Sequence, residues 1–263
     1  MKYEINKKRL IMGICLVLIL LFSIIIVIKI LTKEKLEEIN VIFPSRIEKL
    51  EKLDTGGLTK YGWLQVQGTL IDVPIIMPVA NDNDVDFDYG WISTASVGYK
   101  TRQVLVGHNV LNVSNTPMVN NEIFTSFEDL MAFVYYDFAK ENLYLSYTEY
   151  GEDKIYVIYS IGFYDYGYDQ EQGLSEKDDI KNYIKEVKEN SIYKYGVDIN
   201  ENDNLLTVKT CTRYFGLDTK QQLVIDAREL REDEKIYKYS VKKTKLYKEY
   251  KLSDHYTKNN NSL

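Results

Sequence analysis

Two side chains in this sequence are equipped to act on a carbonyl, and each stands at the end of an apolar run. Thr207-Val208-Lys209-Thr210-Cys211-Thr212-Arg213 delivers a thiol to a polar turn, and Cys211 is the only cysteine outside an apolar N-terminal stretch. Far upstream, Val104-Leu105-Val106-Gly107-His108-Asn109 ends a strand-like run at a glycine and presents His108, the only histidine in the body of the chain. A thiol attacks as thiolate. Imidazole is suited near neutral pH both to hold it in that form and to protonate a leaving amine. A buried cysteine is usually an inert hydrophobe and a lone histidine a structural group. Display of both at strand ends, beside turn residues, favours the catalytic reading.

The elements that must position this pair read mostly as strands. Trp63 and Gln65 lead through Gly68 into Ile71 to Met77, where Pro74 and Pro78 imply a sheet edge or a bulge. Leu143 to Thr148 and Lys154 to Tyr164 form paired strands around Tyr150-Gly151-Glu152-Asp153. In the second, Ile155, Val157, Tyr159, Ile161 and Phe163 alternate onto one face. Leu205 to Thr210 and Leu223 to Leu230 form a hairpin around a loop that begins at Cys211. Ser126-Phe127-Glu128-Asp129 caps a short helix through Leu130 and Phe133, and Ser175 with Asp178 caps a longer one whose apolar stripe is Ile180, Tyr183, Ile184 and Val187. Twenty-three tyrosines among 263 residues also favour a β-rich domain, because aromatic rings fit a pleated, half-buried surface.

The N-terminal fifth is organised differently. Leu10 to Ile28 carries no charge, is long enough to cross a bilayer as a helix, and follows Lys7, Lys8 and Arg9. Without a small-x-small cleavage site near Ser23 to Ile28, this reads as an uncleaved signal anchor with its N-terminus in the cytosol. Cys15 lies inside that span, so an outward-facing domain holds Cys211 with no second cysteine to bridge to, which suggests a reactive role or an intermolecular bridge. Leu36, Ile39 and Phe43 recur at helical spacing, Pro44 breaks the run, and Ser45-Arg46-Ile47-Glu48 reads as a capping box for a second helix through Leu50 and Leu53. The expected division is a cytosolic 1–9, a transmembrane 10–28, a helical stalk 29–57, a catalytic barrel 58–232 and a lysine-rich, partly disordered 233–263 with a last strand at Lys238 to Tyr250. The net charge of −6 gives no support for nucleic-acid binding. Asn81 to Asp88 is acidic enough for a calcium loop but lacks the glycine and glutamate such a loop needs, so a solvated acidic run explains it and no metal or cofactor is expected.

Thr207 to Cys211 resembles the Thr-Leu-x-Thr-Cys signature of sortases, with Val208 for leucine and Lys209 at the free position. Val106 to Asn109 is similar to the histidine motif of class B sortases. Tyr61 to Pro74 resembles the first barrel strands of that class, and Ile123 to Leu130 the short segment that follows the histidine. A helix inserted before the cysteine strand also separates class B from other sortases. The resemblance spans about Tyr61 to Leu230. It implies a mainly β fold, a closed sortase-type barrel with flanking helices, preceded here by the transmembrane helix. It further implies a cysteine transpeptidase that cleaves a C-terminal sorting signal of secreted proteins through a thioacyl intermediate. The acceptor would be an amine of a peptidoglycan precursor or a pilin lysine. Such an enzyme sits in the cell membrane of a Gram-positive type envelope with its catalytic domain outside.

In that family Cys211 would be the nucleophile, His108 the general acid–base, and an arginine at the start of the next strand would steady the oxyanion. Here Gln221 or Gln222 occupies the arginine's position. Arg213, two residues past the cysteine, is the preferred substitute. Arg228 is the alternative, six residues beyond Gln222 and hence about 20 Å away along a strand. A catalytically impaired sortase-like scaffold and an L,D-transpeptidase-like cysteine enzyme are the competing readings. The first draws on the missing arginine and the second on Cys211-Thr212-Arg213, although the Ser-x-Gly lead-in of the L,D-transpeptidases is absent. In a papain-like protease the cysteine would precede the histidine, which it does not here.

Overall fold

Runs of β-branched and aromatic residues, buried on both faces of most strands, build the body of the protein. In a computed structural model of the chain, residues 12, 14–23, 36–77, 89–109, 126–165, 172–212, 214–215 and 220–249 are described. The chain divides into two compact units, Met1–Glu37 and Glu38–Leu263. In the first, residues 14–23 are helical, and the large apolar side chains from Ile14 to Phe22 are exposed. Among the described residues no helix is long and apolar enough to cross a membrane. The described helix of ten residues is about 15 Å long, half the ~30 Å of a bilayer core. The rest of the span expected over 10–28 lies outside the described residues.

The stalk differs from the helix expected. After β1 (Glu37–Glu38) the chain runs without helix to Arg46. Ile39, Val41 and Phe43 are half-buried while Asn40, Ile42 and Pro44 are exposed. That is a period of two, and the Ile39 N–H donates to the Ile236 carbonyl at 3.0 Å, so the apolar residues serve an extended segment. A single short helix, Ile47–Lys52, follows; its N-cap position is Arg46 rather than Ser45 and carries no side-chain capping bond, while Ser45 Oγ accepts from the Ile47 N–H at 3.4 Å. Arg46 donates from Nε and Nη2 to both carboxylate oxygens of Asp72 (2.8 and 2.6 Å), fixing where the chain meets the sheet.

Nine further strands precede the C-terminal segment: β2 (Lys60–Val66), β3 (Asp72–Ile76), β4 (Gly90–Ile92), β5 (Arg102–Gly107), β6 (Tyr144–Glu149), β7 (Glu152–Asp165), β8 (Tyr193–Tyr195), β9 (Leu205–Thr212) and β10 (Gln221–Glu229). All but β8 close a barrel in the order β10-β7-β6-β2-β3-β4-β5-β9. The neighbours are antiparallel except β3–β4 and β5–β9. Pro74 is tolerated because β4 pairs only with Ile75 and Ile76, leaving a local edge beside the proline. Tyr150 and Gly151, with φ of 50° and 79°, make the tight turn between β6 and β7, a backbone that glycine adopts without strain.

One row of side chains shows how the barrel is filled. Leu105, Val208, Ile225 and Ile161 stand opposite one another across β5, β9, β10 and β7, and all are fully buried. On the other face of these strands Thr207, Asp226 and Ser160 meet the helix Lys177–Asn190, whose stripe Ile180, Tyr183, Ile184 and Val187 is buried as its spacing predicts. The Tyr183 hydroxyl lies 3.2 Å from Thr207 Oγ1 and donates to Asp226. Arg102 Nη2 donates to the same hydroxyl at 2.9 Å, and Ser160 Oγ donates to the Val187 carbonyl at 2.9 Å. At the C-terminal end, β11 (Tyr237–Lys238) and β12 (Val241–Lys243) replace the one long strand expected, and β12 pairs with β8.

Candidate active site at the end of the parallel strand pair

β5 and β9 run side by side in the same direction, so their C-terminal ends open at the same rim of the barrel. The register pairs Val106 with Lys209 and Gly107 with Thr210. His108 and Cys211 are the residues that follow this last pair on the two chains. Neighbouring strands lie about 4.8 Å apart, so the imidazole and the thiol begin from adjacent backbone positions. Thr210 Oγ1 donates to the Gly107 carbonyl at 2.8 Å, a buried bond that ties the residue before the cysteine to the residue before the histidine.

Each of the two side chains is held by a different device. Gly107 is required by contact: a Cβ there would meet the Phe127 ring at 2.1 Å, so only glycine lets the fully buried Phe127 of the helix Ser126–Val134 support the end of β5. The Trp91 indole packs on the His108 ring, centroids 4.8 Å apart and planes at 54°, from the adjoining strand where Trp91 pairs with Val106. Cys211 is exposed, although Thr210 and Thr212 on either side are buried. The strand therefore carries through Cys211 to Thr212, and the thiol sits on the strand rather than in the loop expected to begin there. Beyond it, Phe215 and Tyr214 gather on Phe163, with ring centroids 4.9 and 6.4 Å away, to form an aromatic corner at the same rim.

The arginine candidates separate clearly. Arg228 is opposite Leu205, at the far end of β9 from Cys211. It is 1% exposed and forks onto Glu234 at 2.6 and 2.7 Å, while its Nε donates to the Asp198 carbonyl at 2.7 Å. Its role is to close that end of the barrel. Arg213 lies outside the described residues. Of the two glutamines, Gln221 pairs with Thr212 and donates to Asp165 at 3.3 Å, whereas Gln222 pairs directly with Cys211 and shares its face. Asn109 has both amide atoms buried and without a partner among the described residues. Among the described residues no cluster of His, Cys, Asp and Glu could hold a metal ion, and the acidic run 81–88 lies outside them.

Sequence reasoning singled out Cys211 and His108, which follow adjacent paired residues of β9 and β5, but missed the contacts around them. Trp91 carried one available signal, being one of only two tryptophans and following a glycine. Nothing local marked Thr210 as a clamp on Gly107.

No family model and no curated protein sequence matches the chain. Solved structures do match in shape. Clostridium perfringens sortase B aligns with a TM-score of 0.52 at 24% identity, over 65% of this chain and 94% of its own. Sortase B from the type II pilus of Streptococcus pneumoniae gives 0.55 at 20%, over 72% and 98%. The Staphylococcus aureus sortase B–substrate complex gives 0.55 at 17%, over 71% and 85%. The chain has the fold of a class B sortase. The closed eight-stranded barrel, with the helix Lys177–Asn190 laid on it, is that fold as built from these residues.

Proposed function

We propose that this protein is a membrane-anchored cysteine transpeptidase of the sortase type. The observation that carries the reading is the parallel register of β5 and β9, which brings His108 and Cys211 level at one rim. In the proposed reaction the Cys211 thiolate attacks the carbonyl carbon of a peptide bond in a C-terminal sorting signal. A C–S bond forms and an electron pair moves onto the carbonyl oxygen. Collapse breaks the C–N bond as His108 donates a proton to the leaving amine. An incoming amine then attacks the thioester, His108 takes its proton, and the C–S bond breaks to restore the thiolate. The amine must outcompete water, so binding of the acceptor beside the thioester decides transfer over hydrolysis.

Solved sortase B structures include a substrate complex and a complex with triglycine, which supports a peptide donor and an amine acceptor for this chain. Peptidoglycan precursor amines and pilin lysines are the two acceptor classes that fit. The apolar helix over residues 14–23 and the basic cluster Lys7, Lys8 and Arg9 support an anchor with the catalytic unit outside the cell. Arg213 remains the proposed cationic partner of the developing oxyanion. Full-length protein in detergent, offered a peptide library with and without triglycine, tests the reading by product mass. The expected result is peptides newly amide-linked to triglycine, lost in Cys211→Ala. Hydrolysis products alone, unchanged in Cys211→Ala, would overturn it and leave a binding scaffold.

A further inference from the structure

Acyl transfer to a thiol builds negative charge on the carbonyl oxygen, and the acceleration depends on donors already aimed at that oxygen. The outer face of β9 and β10 shows what surrounds it. The helix Lys177–Asn190 covers this face as far as Thr207 and Asp226. Four residues further along each strand, Cys211 and Gln222 form a directly opposed pair, the first exposed and the second buried. Side chains so paired across an antiparallel ladder have Cβ atoms about 4.5–5.5 Å apart. Gln222 is only 3% exposed, and among the described residues its carboxamide has no hydrogen-bond partner. The carboxamide atoms are not among the fully buried unpartnered ones, so an oxygen entering beside the thiol can take the place of water on its N–H.

We propose that Gln222 is an oxyanion donor of this enzyme: its side-chain N–H, a neutral group, bonds the tetrahedral oxyanion formed on Cys211. The assignment rests on the cysteine-transpeptidase reading and adds a residue to it. A carboxamide suits this buried position on physical grounds. A guanidinium there would need an acid beside it, as Arg228 on the same strand has in Glu234, whereas an amide can be buried uncharged. Its reach is adequate as well, since one flexible side chain has to bring the donor within about 2.7–3.1 Å of an oxygen two bonds from the sulfur.

The test compares two reactions of Cys211 in the full-length protein, each read at that residue by peptide mass spectrometry. With p-nitrophenyl acetate the thiolate adds to the carbonyl carbon, the oxyanion forms, and p-nitrophenolate leaves as the carbonyl returns. With iodoacetamide the thiolate displaces iodide directly and no oxyanion arises. In Gln222→Met, which keeps the packing volume and removes the donor, acylation should fall about 100-fold. Alkylation should stay within about twofold, because it follows the thiolate alone. Gln222→Ala should show the same split. Unchanged acylation, or a fall of both reactions in proportion, overturns the assignment. Wild-type acylation no faster than that of N-acetylcysteine overturns the underlying reading too. Fast acylation that His108→Ala abolishes and Gln222→Met spares overturns only the role of Gln222.

Discussion

At the scale of single residues, the candidate site depends on contacts that leave no room for substitution. The Phe127 ring stands where a Cβ on Gly107 would be, and both Gly107 and Phe127 are buried. Gly107→Ala must therefore push the end of β5 or the ring aside, at a cost of about 1–3 kcal/mol. The residue displaced next is His108. The expected outcome is a lower denaturation midpoint together with slower alkylation of Cys211, both largely restored by adding Phe127→Leu. A Gly107→Ala protein as stable and as reactive as wild type would show that the close approach does not hold the histidine. The two candidate residues stood out in the sequence at this scale because cysteine and histidine are rare here. The sequence concealed Thr210 and Trp91, whose parts depend on which strands become neighbours.

At the scale of elements, β9 and β10 divide their labour along their length. One end carries Cys211 opposite Gln222, and the other is locked by Arg228, Glu234 and Tyr239. Burial on its own would raise the Glu234 carboxyl. Hydrogen bonds from Arg228, from the Arg231 backbone N–H and from the Tyr239 hydroxyl outweigh it and hold the group down at about 2, against an ordinary 4.5. The folded form thus binds this proton less readily than the unfolded chain. Its stabilisation is complete above the ordinary value and is lost as pH falls toward about 2. Glu234→Gln, which leaves the buried guanidinium uncompensated, should cost about 3 kcal/mol near neutral pH. Denaturant unfolding at a series of pH values should show the gap between the two proteins closing through the acid range. A gap independent of pH would contradict the lock. The helical stripe of Lys177–Asn190 was legible from spacing. The one-faced alternation expected of β7 does not hold, because Tyr156 to Gly162 are buried on both faces and the register against β10 shifts beside Tyr159. The segment after β1 was not legible either, because Ile39 and Phe43 satisfy a four-residue spacing and a two-residue one equally well. Val41 and the pairing of Ile39 with Ile236 decide for the latter.

At the scale of the whole molecule, the decisive event is the parallel pairing of β5 with β9, two segments about a hundred residues apart. Local patterns could identify each strand and its end but not their adjacency, since long-range pairing is selected by the closure of the whole barrel. The cap positions were likewise outside local reach: Arg46 is drawn to Asp72, a partner supplied by the folded sheet. The central claim is that this closure makes one chemical unit of a thiol and an imidazole. Labelling of Cys211 by a peptide vinyl sulfone measures it most directly, since addition needs a thiolate and a proton donor together. The wild-type rate should exceed that of the unfolded protein, and His108→Ala should lower it by about 100-fold or more. A wild-type rate equal to that of the unfolded chain, or one indifferent to the loss of His108, would contradict the account.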